Sequence, residues 1–178
     1  AEMSVGALYF VVIVLGLIGW FVGRARAIAL RSSRTGRFSA LPGHHGWFVA
    51  LWTTLPPLVF LAIWFFVSPA MVTDAVIATS QAAALPTVGF ERSAILSEAR
   101  NLARGEAFGA FHDLSEALAP AYAAAQRRFD WIATALAAIL AFAGFAFSYL
   151  RVRPQFGART AVERIVMLLL LGASLIAI

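Results

Sequence analysis

Two of the chain's three histidines are neighbours, in the run Pro42-Gly43-His44-His45-Gly46. Adjacent imidazoles are the side chains here best suited to hold a metal or to change charge near neutral pH. A structural metal site needs about four donors, and no Asp, Glu or Cys lies close to this pair in sequence. The run therefore supplies a fragment of a site and reads as an interfacial turn leading into an apolar segment. The third histidine, His112, stands beside Asp113 and near Glu116, a grouping that invites acid–base chemistry. Helical spacing puts both carboxylates on the polar side of a predicted helix, where they read as a solvated face. The chain has no Cys, which removes disulfides, thiolate metal sites and cysteine nucleophiles. It has no Gly-x-x-x-x-Gly-Lys-Ser/Thr run, so it does not itself bind and hydrolyse ATP by that mechanism. The sequence predicts no catalytic residue, no cofactor-binding residue and no metal ligand, and the chain is not read as an enzyme.

The elements around these residues belong to a membrane protein. A hydrophobic share of 61% against 13% charged residues lies far above the apolar share of a soluble domain. Ser4 to Val22 is a run of 19 uncharged residues, long enough to cross a hydrocarbon core of about 30 Å. Its arginines follow the apolar stretch rather than precede it, so it reads as an anchor with the N-terminus outside and not as a cleaved signal peptide. Trp47 to Val67 is a second span, with Pro56 and Pro57 in its middle as a possible kink. Trp131 to Leu150 is a third, and Ala133, Ala137, Ala141 and Gly144 lay a smooth stripe along it for close packing on another helix. Ile165 to Ile178 is apolar for 14 residues, about 21 Å of helix, and reads as the first part of a truncated fourth span. The predicted spans hold no ionisable side chain of the kind that marks ion or proton pathways, so they read as scaffold.

Orientation comes from charge. All 14 basic residues are Arg, and they are unevenly placed. Arg24, Arg26, Arg31, Arg34 and Arg37 have no acid among them; Arg151, Arg153, Arg159 and Arg164 face only Glu163. Between these stretches, Pro69 to Asp130 carries seven acids against five arginines. The positive-inside rule makes the nine flanking arginines topology anchors on the cytoplasmic side, with the middle region outside. Trp20, Trp47 and Tyr149 at the predicted inner ends, with Tyr9, Trp64 and Trp131 toward the outer ends, complete an aromatic belt. A pI near 11 would raise nucleic-acid binding. These arginines, however, flank membrane segments and are not interleaved with aromatics on a soluble patch.

The predicted fold is all-α and polytopic: three full transmembrane helices, a truncated fourth and a small external helical domain. Residues 1–67 form a membrane hairpin around a basic cytoplasmic loop; residues 68–130 form a periplasmic helical domain. Residues 131–178 hold the third span, the second basic loop and the start of the fourth helix. Within the external region, Ser68-Pro69 reads as a helix start, with Met71, Val72, Ala75, Val76 and Ala83 on its apolar face before Leu85 and Pro86. A second helix is predicted from Glu91 to Arg104, closed by Gly105. A third is predicted through Phe108, Phe111, Leu114, Leu118, Tyr122, Ala125 and Phe129, bent or broken at Pro120.

The run from Arg37-Phe38-Ser39-Ala40-Leu41-Pro42-Gly43-His44-His45-Gly46 to Trp47-Phe48-Val49-Ala50-Leu51-Trp52, read with Ala161-Val162-Glu163-Arg164 and the leucine-rich stretch after it, resembles the C-type permease of phosphate ABC transporters, which are importers. The resemblance is to a branch extended at its N-terminus, in which helices and an external domain precede the permease core. It implies an inner-membrane, multi-pass protein that acts with a second permease subunit, an ATP-binding cassette subunit and a periplasmic phosphate-binding protein. The Glu-Ala-Ala coupling loop of such permeases has no counterpart here, so no coupling or phosphate-pathway residue is carried over. The alternative reading is a membrane sensor or assembly factor whose periplasmic helices form an input domain.

Overall fold

The computed structural model describes residues 5–32, 41–153 and 157–177. Five α-helices account for most of them: α1 (Val5–Ser32), α2 (Pro42–Ile77), α3 (Gly89–Ala103), α4 (Asp113–Arg151) and α5 (Ala158–Ile176), with a short 3-10 turn at Ser80–Ala84. No strand occurs among the described residues. Three helices, α1, α2 and α4, are long and apolar enough to cross a membrane. In α5 the charged side chains of Arg159, Glu163 and Arg164 occupy the first two turns, and the apolar stretch follows them.

The helices are longer than the hydrophobic runs that announce them. α1 continues past Val22 to Ser32, so Arg24, Arg26 and Arg31 lie on a helix and not in a loop. Arginine is a good helix former, and cations near a helix C-terminus complement its macrodipole. α2 begins at Pro42, where proline's absent amide costs nothing, so the His44–His45 pair lies in the first turns of a helix and not in a turn before it. The helix then passes through Pro56, Pro57 and Pro69 without interruption. The expected start at Ser68-Pro69 is therefore absent. Pro69 is exposed and deprives only the Phe65 carbonyl, beside another exposed side chain, while Val72 and Val76 beyond it are buried. Pro120 likewise leaves α4 unbroken: it and Glu116, whose carbonyl it deprives, are both exposed.

The chain forms two compact units. The first comprises the described residues of Met3–Phe60 and Leu136–Ile178; the second is Leu61–Ala135, so α2 and α4 each contribute to both.

The second unit has a core of Val72, Val76, Ala82, Ile95, Ala99, Leu118 and Tyr122, one stripe from each helix and one residue from the 3-10 turn. Ala82 takes the place expected of Ala83, because α2 ends at Ile77 and the following turn shifts the helical phase. Thr79 closes that end by donating its hydroxyl to the Val76 carbonyl at 2.6 Å. α3 ends in a Schellman motif: Glu106 N–H donates to Asn101 O at 2.9 Å and Gly105 N–H to Leu102 O at 3.0 Å. Gly105 carries the required positive φ of 71°. Phe108 and Phe111, expected on the apolar face of α4, lie before its first residue and are fully exposed.

Candidate functional site

Lipid tails are as apolar as leucine, so membrane helices associate by close backbone approach rather than by hiding hydrophobic surface from water. In the first unit, α1 presents a buried seam of Val12, Gly16, Gly19, Gly23 and Ala27. A Cβ at Gly19 would come 3.1 Å from Thr53 Oγ1, and one at Gly23 would come 2.7 Å from Val49 Cγ2. α2 answers with Gly46, where a Cβ would lie 2.9 Å from the Trp20 carbonyl oxygen. The signal for this seam was present in the Gly19-x-x-x-Gly23 spacing, which the reading of the first span as a plain anchor passed over.

The stripe predicted on the third span does pack. Ala133, Ala137, Ala141 and Ser148 are buried, and a Cβ at Gly144 would overlap the Trp52 carbonyl oxygen. Two prolines explain why that oxygen matters. Pro56 has no amide hydrogen, so the Trp52 carbonyl lacks its intrahelical donor, and Pro57 does the same to Thr53. Gly144, having no side chain, brings the α4 backbone onto the freed oxygen, where a Cα–H can serve as a weak donor. The Trp52 and Phe147 rings meet beside it with centroids 4.8 Å apart. Pro56 and Pro57 thus act at a helix–helix contact within an unbroken helix.

The arginine-bearing end of this unit is built from aromatic platforms. Arg24 lies over the Trp20 ring at 5.3 Å, Arg26 over Tyr149 at 3.9 Å, and Arg151 over Phe147 at 4.8 Å. Tyr149 is stacked on Phe145, and beneath them Ala27, Val49 and Val152 form a small core. Arg26 on α1 and Tyr149 on α4 therefore join the two arginine stretches. Arg159 pairs with Glu163 at 2.7 Å across one turn of α5, and Arg153 and Arg164 are exposed. Arg34, Arg37 and the Phe38–Ala40 part of the family-like run lie outside the described residues, as does the side chain of Arg31. His44 and His45 line the start of α2 near Gly46, and no group of three or more potential metal-ligating side chains occurs among the described residues.

In the second unit the side chain that organises the loop before α4 is Glu98, which sequence reasoning did not single out. Its carboxylate accepts the Phe111 backbone N–H, the Ser115 hydroxyl at 2.8 Å and a contact from His112 Nδ1 at 3.0 Å. Serine, histidine and glutamate side by side resemble a hydrolytic constellation, but the hydroxyl of Ser115 points to Glu98 and to the Ile95 carbonyl at 3.3 Å, not to the imidazole. A nucleophile without its base has no activation, so the cluster is a clamp. It fixes the start of α4 against α3, and this competing use of the Phe111 amide explains why Phe108 and Phe111 do not continue the helix.

The Phe111 amide holds the Glu98 carboxyl below the usual glutamate range; partial desolvation opposes it, and Ser115 and His112 reinforce it. A carboxyl with a depressed folded value stabilises the native state above its unfolded value and loses that contribution as pH falls through the folded one. Hydrogen exchange at the Phe111 amide is therefore expected to accelerate as pH drops below the ordinary glutamate range, after correction for intrinsic rates. Glu98→Gln should remove that acid-dependent step. An unchanged pH profile in the variant would show that Glu98 is not the titrating clamp.

A family model described as phosphate ATP-binding cassette transporter matches residues 9–178. No curated protein and no solved structure matches the chain.

Proposed function

The chain belongs to the phosphate ATP-binding cassette transporter family, and we propose that within it the chain is the N-terminal membrane region of an importer permease. In this role it is a scaffold for ATP-driven phosphate uptake and does not transport alone. It works with the permease core, a second permease subunit, an ATP-binding cassette subunit and a periplasmic phosphate-binding protein. The observation that carries this reading is the family match over residues 9–178, nearly the whole chain. The helices agree with a scaffold role: α1, α2 and α4 are of spanning length and pack largely through glycine and alanine, with no acid or arginine buried among the described residues and His45 the buried histidine at the start of α2.

The proposed setting is the bacterial inner membrane with the N-terminus in the periplasm. The nine flanking arginines face the cytoplasm, and residues 68–130 form a periplasmic helical domain.

One experiment tests topology and function together. The chain has no native Cys, so Ser33→Cys and Ser93→Cys each give a single thiol. In intact cells an impermeant thiol reagent should label only the second, and both strains should retain uptake of radiolabelled phosphate. Deleting the coding segment for this chain should abolish that uptake. Equal labelling would refute the orientation, and undiminished uptake after deletion would refute the permease role.

A further inference from the structure

The first unit holds nine arginines and a single carboxylate, Glu163, which Arg159 occupies. No acid at all occurs between Met3 and Thr73. A charge surplus of this size on a helix assembly calls for anions from outside the chain.

The structure offers one place where such an anion would be held together with a hydrocarbon chain. Between α1 and α2 lies an open groove of about 420 Å³ whose walls include Ile13, Leu17, Phe21, Leu51 and Leu55, and its lining is almost wholly apolar. At Trp20 and Trp47 it meets a second hollow of about 420 Å³, lined by Arg24, Leu41, Pro42, Gly43 and His44. That second hollow is open at Gly43, where a Cβ would meet nothing within 4 Å. Arg24 is exposed, forms no ion pair among the described residues, and is positioned by its place over the Trp20 ring. The first residues of α2, Pro42, Gly43 and His44, line the same hollow, where the helix dipole favours negative charge, although the His44 N–H is already given to the Leu41 carbonyl at 3.0 Å. The two hollows therefore run from an apolar slot to a cationic mouth.

We propose that this α1–α2 groove is a binding site for an anionic glycerophospholipid of the surrounding bilayer. One acyl chain lies along Gly16 and Leu51, and the phosphodiester sits on Arg24 beside His44 and the start of α2. A free phosphate ion would satisfy the mouth but leave the apolar slot uncovered, whereas an amphiphile satisfies both. The lipid fills the gap that close packing at Gly16, Gly19 and Gly23 leaves on the outer side of the α1–α2 pair.

Trp20 and Trp47, which border both hollows, are built-in reporters. In a variant carrying Trp52→Phe, Trp64→Phe and Trp131→Phe they are the only tryptophans left of five. Reconstituted into vesicles, this protein should be quenched more strongly by phosphatidylglycerol with brominated acyl chains than by brominated phosphatidylcholine. The expected preference is about fivefold in binding constant, the factor one arginine's attraction to an anionic headgroup confers. Arg24→Gln should bring the preference close to unity, Arg24→Lys should keep most of it, and Arg127→Gln, in the other unit, should leave it unchanged. Inorganic phosphate at millimolar concentration should not displace the lipid.

Equal quenching by both lipids, an Arg24→Gln variant that keeps the preference, or displacement by inorganic phosphate would each overturn the proposal. Absence of quenching would do so too, since it would mean that another helix covers the groove. Should the triple tryptophan variant fail to fold, native mass spectrometry of the unmodified protein released from mixed vesicles decides the same point. Retained phosphatidylglycerol supports the site, and retention without headgroup preference sinks it.

Discussion

Gly144→Leu is expected to lower the stability of the packed α2–α4 pair by about 3 kcal/mol or more, the upper end of what an inserted side chain costs a well-packed core. The size of the effect follows from what the new atoms would meet. At Gly16 the obstacle is the Thr54 hydroxyl, the movable end of a side chain, and a rotamer change can accommodate a methyl group. At Gly23 it is the β-branched Val49, which is stiffer. At Gly144 it is the carbonyl carbon and oxygen of Trp52, which cannot move without moving α2. Separating the helices would also strip the Trp52 carbonyl of the backbone that covers it, one turn before the Pro56-Pro57 pair, and leave it orphaned in an apolar setting. Thermal unfolding in detergent micelles, followed by Trp fluorescence, checks this. Gly172→Leu is the control, since a Cβ there meets nothing within 4 Å. If Gly144→Leu melts with Gly172→Leu, the α4 backbone is not seated on that carbonyl.

The contrast among these glycines separates what was legible in the sequence from what was not. The stripe Ala133, Ala137, Ala141 and Gly144 could be read from spacing alone, because small residues recurring on one helical face have few other uses in a membrane segment. Which backbone the stripe meets could not, since the partner position depends on the register between two helices far apart in sequence. The spans themselves were clear from their uncharged runs. Their ends were not: Ser68-Pro69 was read as a helix start and Pro120 as a bend or break, both without regard to burial. Both prolines turn out to sit on exposed faces, where the deprived carbonyls can meet solvent instead of an amide.

The polar cluster most conspicuous in the sequence, His44 and His45, turns out to mark the start of a helix, with His44 on the border of a hollow and His45 buried. The cluster that organises the second unit was invisible. In sequence Glu98 is one of seven acids in the middle region, and only the fold brings Phe111, His112 and Ser115 to it.

Leu118→Ala is expected to open the second unit. Leu118 is wholly buried where stripes from α2, α3 and α4 converge, and a large-to-small change in such a place costs about 2–5 kcal/mol, because the cavity adds to the lost transfer energy. A unit this small has only about 5 kcal/mol to lose. Arg104, exposed at the end of α3, is a native trypsin site that becomes a cleavable peptide once the Schellman turn and α3 loosen. Where opening is fast relative to cleavage, digestion follows the open population, so a loss of about 2 kcal/mol raises the rate about 30-fold and larger losses raise it further. Leu118→Met, which conserves volume, should stay within about tenfold of the parent. The two variants differ in packing alone, since neither touches a charge, a cap or a hydrogen bond. If both were digested at the parent's rate, Leu118 could not be the keystone of this core, and the Glu98 clamp would have to hold α3 against α4 by itself. Accelerated digestion of Leu118→Ala, with the Phe111 amide still protected at neutral pH, would show the reverse: a clamp that survives locally while the core beneath it has opened.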